Sequence, residues 1–173
     1  MGALDDARVM PTKGRRLRGF VVLSLIASLV LIGGGLTIAS GQLFGPAGAQ
    51  RNDIGERLVS WVGNAKVGDH IALADLTDFT WDRVLIAGPY SANTQAQEQL
   101  GFAWDVEKAP SYTNEGLNVL AFADGDHIVA WSVVRRSADI WMPDGEDPSV
   151  YGRGEAELFW DGHRLVPAGY YPY

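Results

Sequence analysis

The sequence predicts an α+β fold: a small domain with an antiparallel sheet of three to five strands and about two helices, placed after one N-terminal transmembrane helix. Three observations predict it. Gly19 to Gly41 carry no charge. Two segments beyond residue 50 show helical features, an amphipathic period in one and cap signals at both ends of the other. Two Asp-Gly pairs, Asp124-Gly125 and Asp161-Gly162, each separate apolar runs, as hairpin turns do.

Length and charge frame the elements. The chain has 173 residues and no Cys, which fits one domain plus an appendage and excludes disulfides, thiolate nucleophiles and cysteine-zinc sites. Residues 1–18 hold five Lys/Arg against two Asp/Glu, whereas residues 50–173 hold nine against nineteen. So acidic a folded part argues against nucleic acid, whose binding rests on neutralising phosphates, and against docking on anionic lipid heads.

The first element is the apolar span. Phe20 to Ser40 is long enough as a helix to cross about 30 Å of hydrocarbon. Lys13, Arg15, Arg16 and Arg18 precede it, and no Lys or Arg follows until Arg51. The positive-inside rule puts the N-terminus in the cytoplasm and the rest outside. The expected organisation is a basic cytoplasmic tail (1–18), a transmembrane signal anchor (19–41), a linker (42–51) and an extracytoplasmic domain (52–173) in the cytoplasmic (inner) membrane. The alternative is a signal peptide cleaved near Ala49, where Ala47-Gly48-Ala49 offers a small-residue site, giving a secreted or periplasmic domain.

The next segment is amphipathic. Ile54, Leu58, Trp61 and Val62 recur at helical spacing, with Asn52 or Asp53 as N-cap and Glu56 as capping-box partner; Val67-Gly68-Asp69 ends the element. His70 to Leu76 alternates weakly. Trp81 to Gly88 reads as a central strand, because Val84, Leu85 and Ile86 are apolar in succession, and Gly88-Pro89 stops it. Asn93 to Leu100 reads as a short helix capped by Asn93 or Thr94 and ended by Gly101. Two hairpins follow, the first with Asp124-Gly125 as the centre of a type I′ turn. The stretch from Ser137 to Glu155, rich in Pro, Gly and acid, reads as a loop. Six Trp, all beyond residue 50, are available to fill the core.

The densest stretch is Phe79 to Ser91, FTWDRVLIAGPYS. In a strand starting at Trp81, Trp81 and Arg83 would share one face and Asp82 the other. Trp81 and Tyr90 read first as packing residues, and Asp82 as an acceptor for backbone N–H groups. The functional alternative is a binding surface of Trp81, Asp82, Arg83, Tyr90 and Asp78, with Asp82 joined by Asp75 or Asp78 in a polar cluster for a ligand or cation. Trp141 is a further contact candidate on its loop. One arginine of Arg135-Arg136 is expected to face inward against a carboxylate, with an anion site as the alternative.

No catalytic residue stands out. The sequence lacks a P-loop, a Gly-x-Ser-x-Gly elbow, a His-Glu-x-x-His pair and a dinucleotide fingerprint. His70, His127 and His163 each lie near an Asp, but their spacing imposes no convergence on a metal. Asp144, Glu146 and Asp147 crowd too short a loop for an EF-hand. No cofactor and no metal are expected.

The residues Phe79, Trp81, Asp82, Val84, Ile86, Pro89 and Tyr90 form an F-x-W-D-x(6)-P-Y pattern. It resembles a motif in an uncharacterised family of small exported or membrane-anchored bacterial proteins, in which a short helix and an apolar hairpin with a Gly turn follow. The likeness extends over about residues 66 to 140, and Ala87 departs from it where an aromatic is expected. It implies an anchored extracytoplasmic unit and no activity. The expected function is therefore a non-enzymatic envelope protein with a protein partner; the alternatives are a small-ligand or cation-binding domain, and an envelope hydrolase.

Overall fold

A computed structural model describes residues 46–142 and 148–171. The expected tail and anchor, the first four residues of the linker (42–45), and Asp144, Glu146 and Asp147 lie outside the described residues. Among the described residues, no helix is long and apolar enough to cross a membrane.

Over the described residues the fold is α+β, with two helices and two sheets rather than one. The strands are β1 (Ala49–Gln50), β2 (His70–Ala72), β3 (Arg83–Ala87), β4 (Leu117–Asp124), β5 (His127–Arg135), β6 (Ser149–Gly152), β7 (Glu157–Trp160) and β8 (Leu165–Pro167); the helices are α1 (Asn52–Val62) and α2 (Asn93–Leu100). The larger sheet has the order β1-β5-β4-β3-β6, antiparallel except for β1 beside β5. The smaller, β2-β7-β8, is antiparallel throughout.

Both faces of the larger sheet are buried, which is why β3 and β4 read as unbroken apolar runs instead of alternating. On one face Val84, Ile86, Leu120 and Phe122 meet Ile54, Leu58 and Val62 of α1 and Ile71, Leu158 and Leu165 of the smaller sheet. On the other, Leu85, Val119 and Ala121 meet Ala96 and Leu100 of α2 and the Trp104–Ala109 segment. Trp81, Trp104 and Trp131 are buried, while Trp61, Trp141 and Trp160 are half-buried.

Helix α1 buries the predicted stripe, but its cap differs. Arg51 occupies the N-cap without a side-chain capping bond, and Asp53 lies inside the first turn. There Asp53 receives Arg51 and Arg57 and suits the positive helix end. The helix stops at Val62, ahead of the expected Val67-Gly68-Asp69. At α2 the N-cap is Ala92, whose N–H donates to Gln95 Oε1; Asn93 instead donates to Asp105 and accepts from the Glu107 N–H. Gly101 closes α2 in the left-handed conformation (φ +80°), as expected.

The turns shift register. Asp124 pairs with His127, so Gly125 and Asp126 are the central residues of the first hairpin. Only Gly125 has positive φ, which suits a II′ arrangement and not the I′ turn expected of Asp124-Gly125. The second hairpin has four loop residues, Asp161 to Arg164, because Trp160 pairs with Leu165. Burial pushes the Asp161 carboxyl up, but the N–H groups of Arg164 and His163 outweigh it and hold it below its ordinary value. The stretch read as one loop contains β6, an edge strand on β3.

The two carboxylates of Asp53 and Asp105 respond to acid in the same sense. Arg51 and then Arg57 hold Asp53 at about 2, and Lys108 and then Asn93 lower Asp105. A carboxyl depressed on folding stabilises above its unfolded value, about 3.9, and that contribution disappears as pH falls through the folded value. Stability should therefore decline between about pH 4 and pH 2, and Asp53→Asn should flatten that decline. Chemical denaturation at stepped pH checks it; salt should weaken the effect, because the pairs are exposed. An unchanged slope in Asp53→Asn would assign the decline to other carboxylates.

Candidate functional site

The Phe79–Tyr90 stretch is held by contacts that divide its residues into internal and external groups. Trp81 is 2% exposed. Its ring meets the edge of Phe122 at 5.1 Å, its Nε1 donates to Thr77 Oγ1 at 2.8 Å, and the Arg153 guanidinium covers it at 4.9 Å. Phe79 takes a second side of Phe122 at 5.6 Å. The F-x-W pair thus grips one core ring.

Strand β3 begins at Arg83, two residues later than expected. Trp81 joins the α1 side with Val84 and Ile86, while Arg83 lies over Phe102 on the side of Leu85. They do not share a face. Asp82 makes the switch: its N–H donates to the Ala123 carbonyl, and its own carbonyl accepts from the Arg153 N–H.

Asp82 and Arg83 together clamp the first hairpin. Asp82 Oδ2 accepts from the Gly125 N–H at 2.9 Å, and its Oδ1 accepts from Arg83 Nη1 at 2.8 Å. Arg83 Nη2 donates to the Gly125 carbonyl at 2.6 Å and to the Leu100 carbonyl at 3.0 Å, joining the turn to the end of α2. The chemistry this supports is turn fixation. Asp82→Ala should cost about 1 kcal/mol in a urea melt, the usual net worth of such hydrogen bonds, and increase amide exchange at Gly125. Unchanged exchange at Gly125 would count against the clamp.

The other candidates separate. Asp78 pairs with Arg51 at 2.9 Å, and Arg51 also holds Asp53 and covers Phe79 at 5.3 Å. Trp141 packs edge-on against Tyr170 at 5.9 Å and lies under Arg164 at 4.9 Å. Arg135 and Arg136 are both exposed, contrary to the expected inward arginine.

Tyr90 is different. It is 60% exposed, and it alone among described non-glycine residues has positive φ (+64°). For a bulky side chain this region costs about 1–2 kcal/mol. Its N–H donates to the Tyr112 carbonyl at 3.1 Å, its ring meets Tyr112 edge-on at 6.4 Å, and its hydroxyl donates to Glu115 Oε1 at 3.1 Å. The Glu115 carboxylate pushes the Tyr90 hydroxyl above its ordinary value. Arg136 borders the patch, its N–H on the Gly116 carbonyl and Nη1 at 3.5 Å from the Glu115 carbonyl.

No three His, Cys, Asp or Glu among the described residues converge as metal ligands. His70 stacks on Phe159 at 5.1 Å, His127 is beside Asp126, and His163 lies in the second hairpin loop.

Sequence reasoning missed a groove of about 580 Å³ between α1 and the ends of β4 and β5. Glu56, Val59 and Ser60 form one wall, and Leu117, Val133 and Arg135 the other. Asp78, Asp82 and Tyr90 do not line it. The available signal was small: a glycine, Gly55, within an amphipathic helix, where close packing is a usual reason. No family model matches the chain, and comparison with curated proteins and with solved structures finds no match.

Proposed function

We propose that this chain is a membrane-anchored domain outside the cytoplasmic membrane that binds a protein partner of the cell envelope and catalyses no reaction. The charge-free span 19–41, its basic flank and the acidic residues beyond it support the anchored, exported placement. The contact surface is the Tyr90 patch, with Tyr112, Glu115 and Arg136. Tyrosine and arginine are favoured at interface hot spots.

The observation that carries this reading is the backbone of Tyr90. An exposed ring gains little from the core, yet it is held at a φ that glycine would occupy without cost. Such strain concentrates where a side chain must be presented in one direction. Trp81, Asp82 and Arg83 leave the proposed surface, because their contacts are spent on Phe122, Gly125 and Leu100.

Tyr90→Gly separates folding from binding. Relief of the left-handed strain and loss of the Glu115 bond offset each other, so stability should stay within about 1 kcal/mol of the parent. Partner capture by the full chain should be lost. A variant that still captures the same partner at the same yield removes Tyr90 from the interface. Topology is tested separately, with protease added to spheroplasts: the domain should be digested and an N-terminal tag protected. Protection of the domain would overturn the placement; release of an intact domain would favour cleavage near Ala49.

A further inference from the structure

The groove between α1 and the β4–β5 end contains two opposite charges that do not meet. Glu56 lies on the helix wall and Arg135 on the sheet wall, and both are exposed. Among the described residues, neither side chain forms an ion pair or a hydrogen bond. The domain's other arginines are committed: Arg51, Arg57, Arg83 and Arg164 to carboxylates, Arg136 to a carbonyl and Arg153 to the Trp81 ring. Arg135 stands apart from them.

The walls between the charges are not uniform. Val59, Leu117 and Val133 supply an apolar stretch, and Gln50, Asn52 and Ser60 supply amide and hydroxyl groups. Gly55 lies at the floor of the groove, where α1 comes closest to β5. The volume of about 580 Å³ lies within the range of small-molecule sites. A plain anion would satisfy Arg135 and be repelled by Glu56; a plain cation would meet the reverse.

We infer that this groove binds a small zwitterion of the free-dipeptide class. Its carboxylate meets the Arg135 guanidinium, its ammonium meets the Glu56 carboxylate, and an aliphatic side chain covers Val59, Leu117 and Val133. The peptide amide is then within the polar set of Gln50, Asn52 and Ser60. A planar guanidinium takes a carboxylate through two parallel hydrogen bonds, which fixes the orientation of the bound molecule. The inference is independent of the Tyr90 surface and adds a second activity to the same domain.

The test uses the full chain in lipid nanodiscs and isothermal titration with four probes: alanylleucine, its N-acetyl form, its C-terminal amide, and the form blocked at both ends. The free dipeptide should bind saturably. Each single block should weaken binding about tenfold, the worth of one charge-assisted contact. Arg135→Gln should bind the free dipeptide and its amide equally, and Glu56→Gln should bind the free and acetylated forms equally. Both variants should melt at the parental midpoint, since neither side chain is buried or paired. Absence of saturable binding up to about 10 mM, a range that still includes weak millimolar sites, would overturn the inference. So would equal binding of the free and doubly blocked forms, a comparison that needs no variant.

Discussion

Gly55→Ala should destabilise the domain by about 3 kcal/mol, although the same change in an open helix stabilises by about 1 kcal/mol. The sign reverses because of one approach. A Cβ at Gly55 would lie far inside van der Waals contact of the Val133 carbonyl oxygen, with Ser132 Oγ also close. Neither obstacle is the mobile end of a flexible side chain. The Gly55 N–H donates to Ser132 Oγ at 3.0 Å in a buried setting, so α1 cannot retreat without leaving a polar group unpaired. Displacement of α1 would also loosen Ile54 and Leu58, which are fully buried. Urea denaturation followed by circular dichroism measures the change. A midpoint equal to or above the parent would mean that α1 sits farther from β5 than the fold requires.

Trp81→Ala should cost about 3–5 kcal/mol, the range for removing a large buried aromatic. The loss combines the buried ring, its edge contact with Phe122, and the Nε1 bond to the half-buried Thr77 hydroxyl. That is a large share of the 5–15 kcal/mol that hold an ordinary domain together. Trp81→Phe should recover part of it, keeping a ring against Phe122 while losing the Nε1 bond. Arg153→Gln should cost less than about 1 kcal/mol, since it removes mainly an exposed cation over a ring. If Trp81→Ala and Arg153→Gln have equal effects, the ring is not the anchor of this corner.

The elements that could be read from sequence are those whose own pattern decides them. The stripe of Ile54, Leu58 and Val62 specifies α1, the unbroken Val84-Leu85-Ile86 run specifies a strand covered on both faces, and Gly101 ends α2. The missed elements are decided by partners far along the chain. Strand β6 is four residues among Gly, Pro and acid, and exists through its register on β3. The Asp124-Gly125 pair offers two registers one residue apart, and the pairing of Asp124 with His127 chooses between them. The face of Trp81 depends on Asp82, whose backbone bonds reach β4 on one side and Arg153 on the other.

The candidate site was legible to the same degree. The motif residues were visible, but not their division into internal and external groups. Asp82 was expected to accept backbone N–H groups, and it does so from Gly125. Tyr90 looked like a packing residue, because positive φ at a tyrosine has no sequence signature. Glu56 and Arg135 face one groove only because α1 crosses the end of β5.

Tyr90 is proposed to face a partner outside the membrane. The most direct measurement places a photo-reactive phenylalanine analogue at position 90 of the full chain in living cells, and separately at Gln97, an exposed residue of α2. After illumination, adducts are identified by mass spectrometry. A discrete protein adduct is expected from position 90 that position 97 does not form. Adducts of equal yield at both positions, or none at position 90, would contradict it.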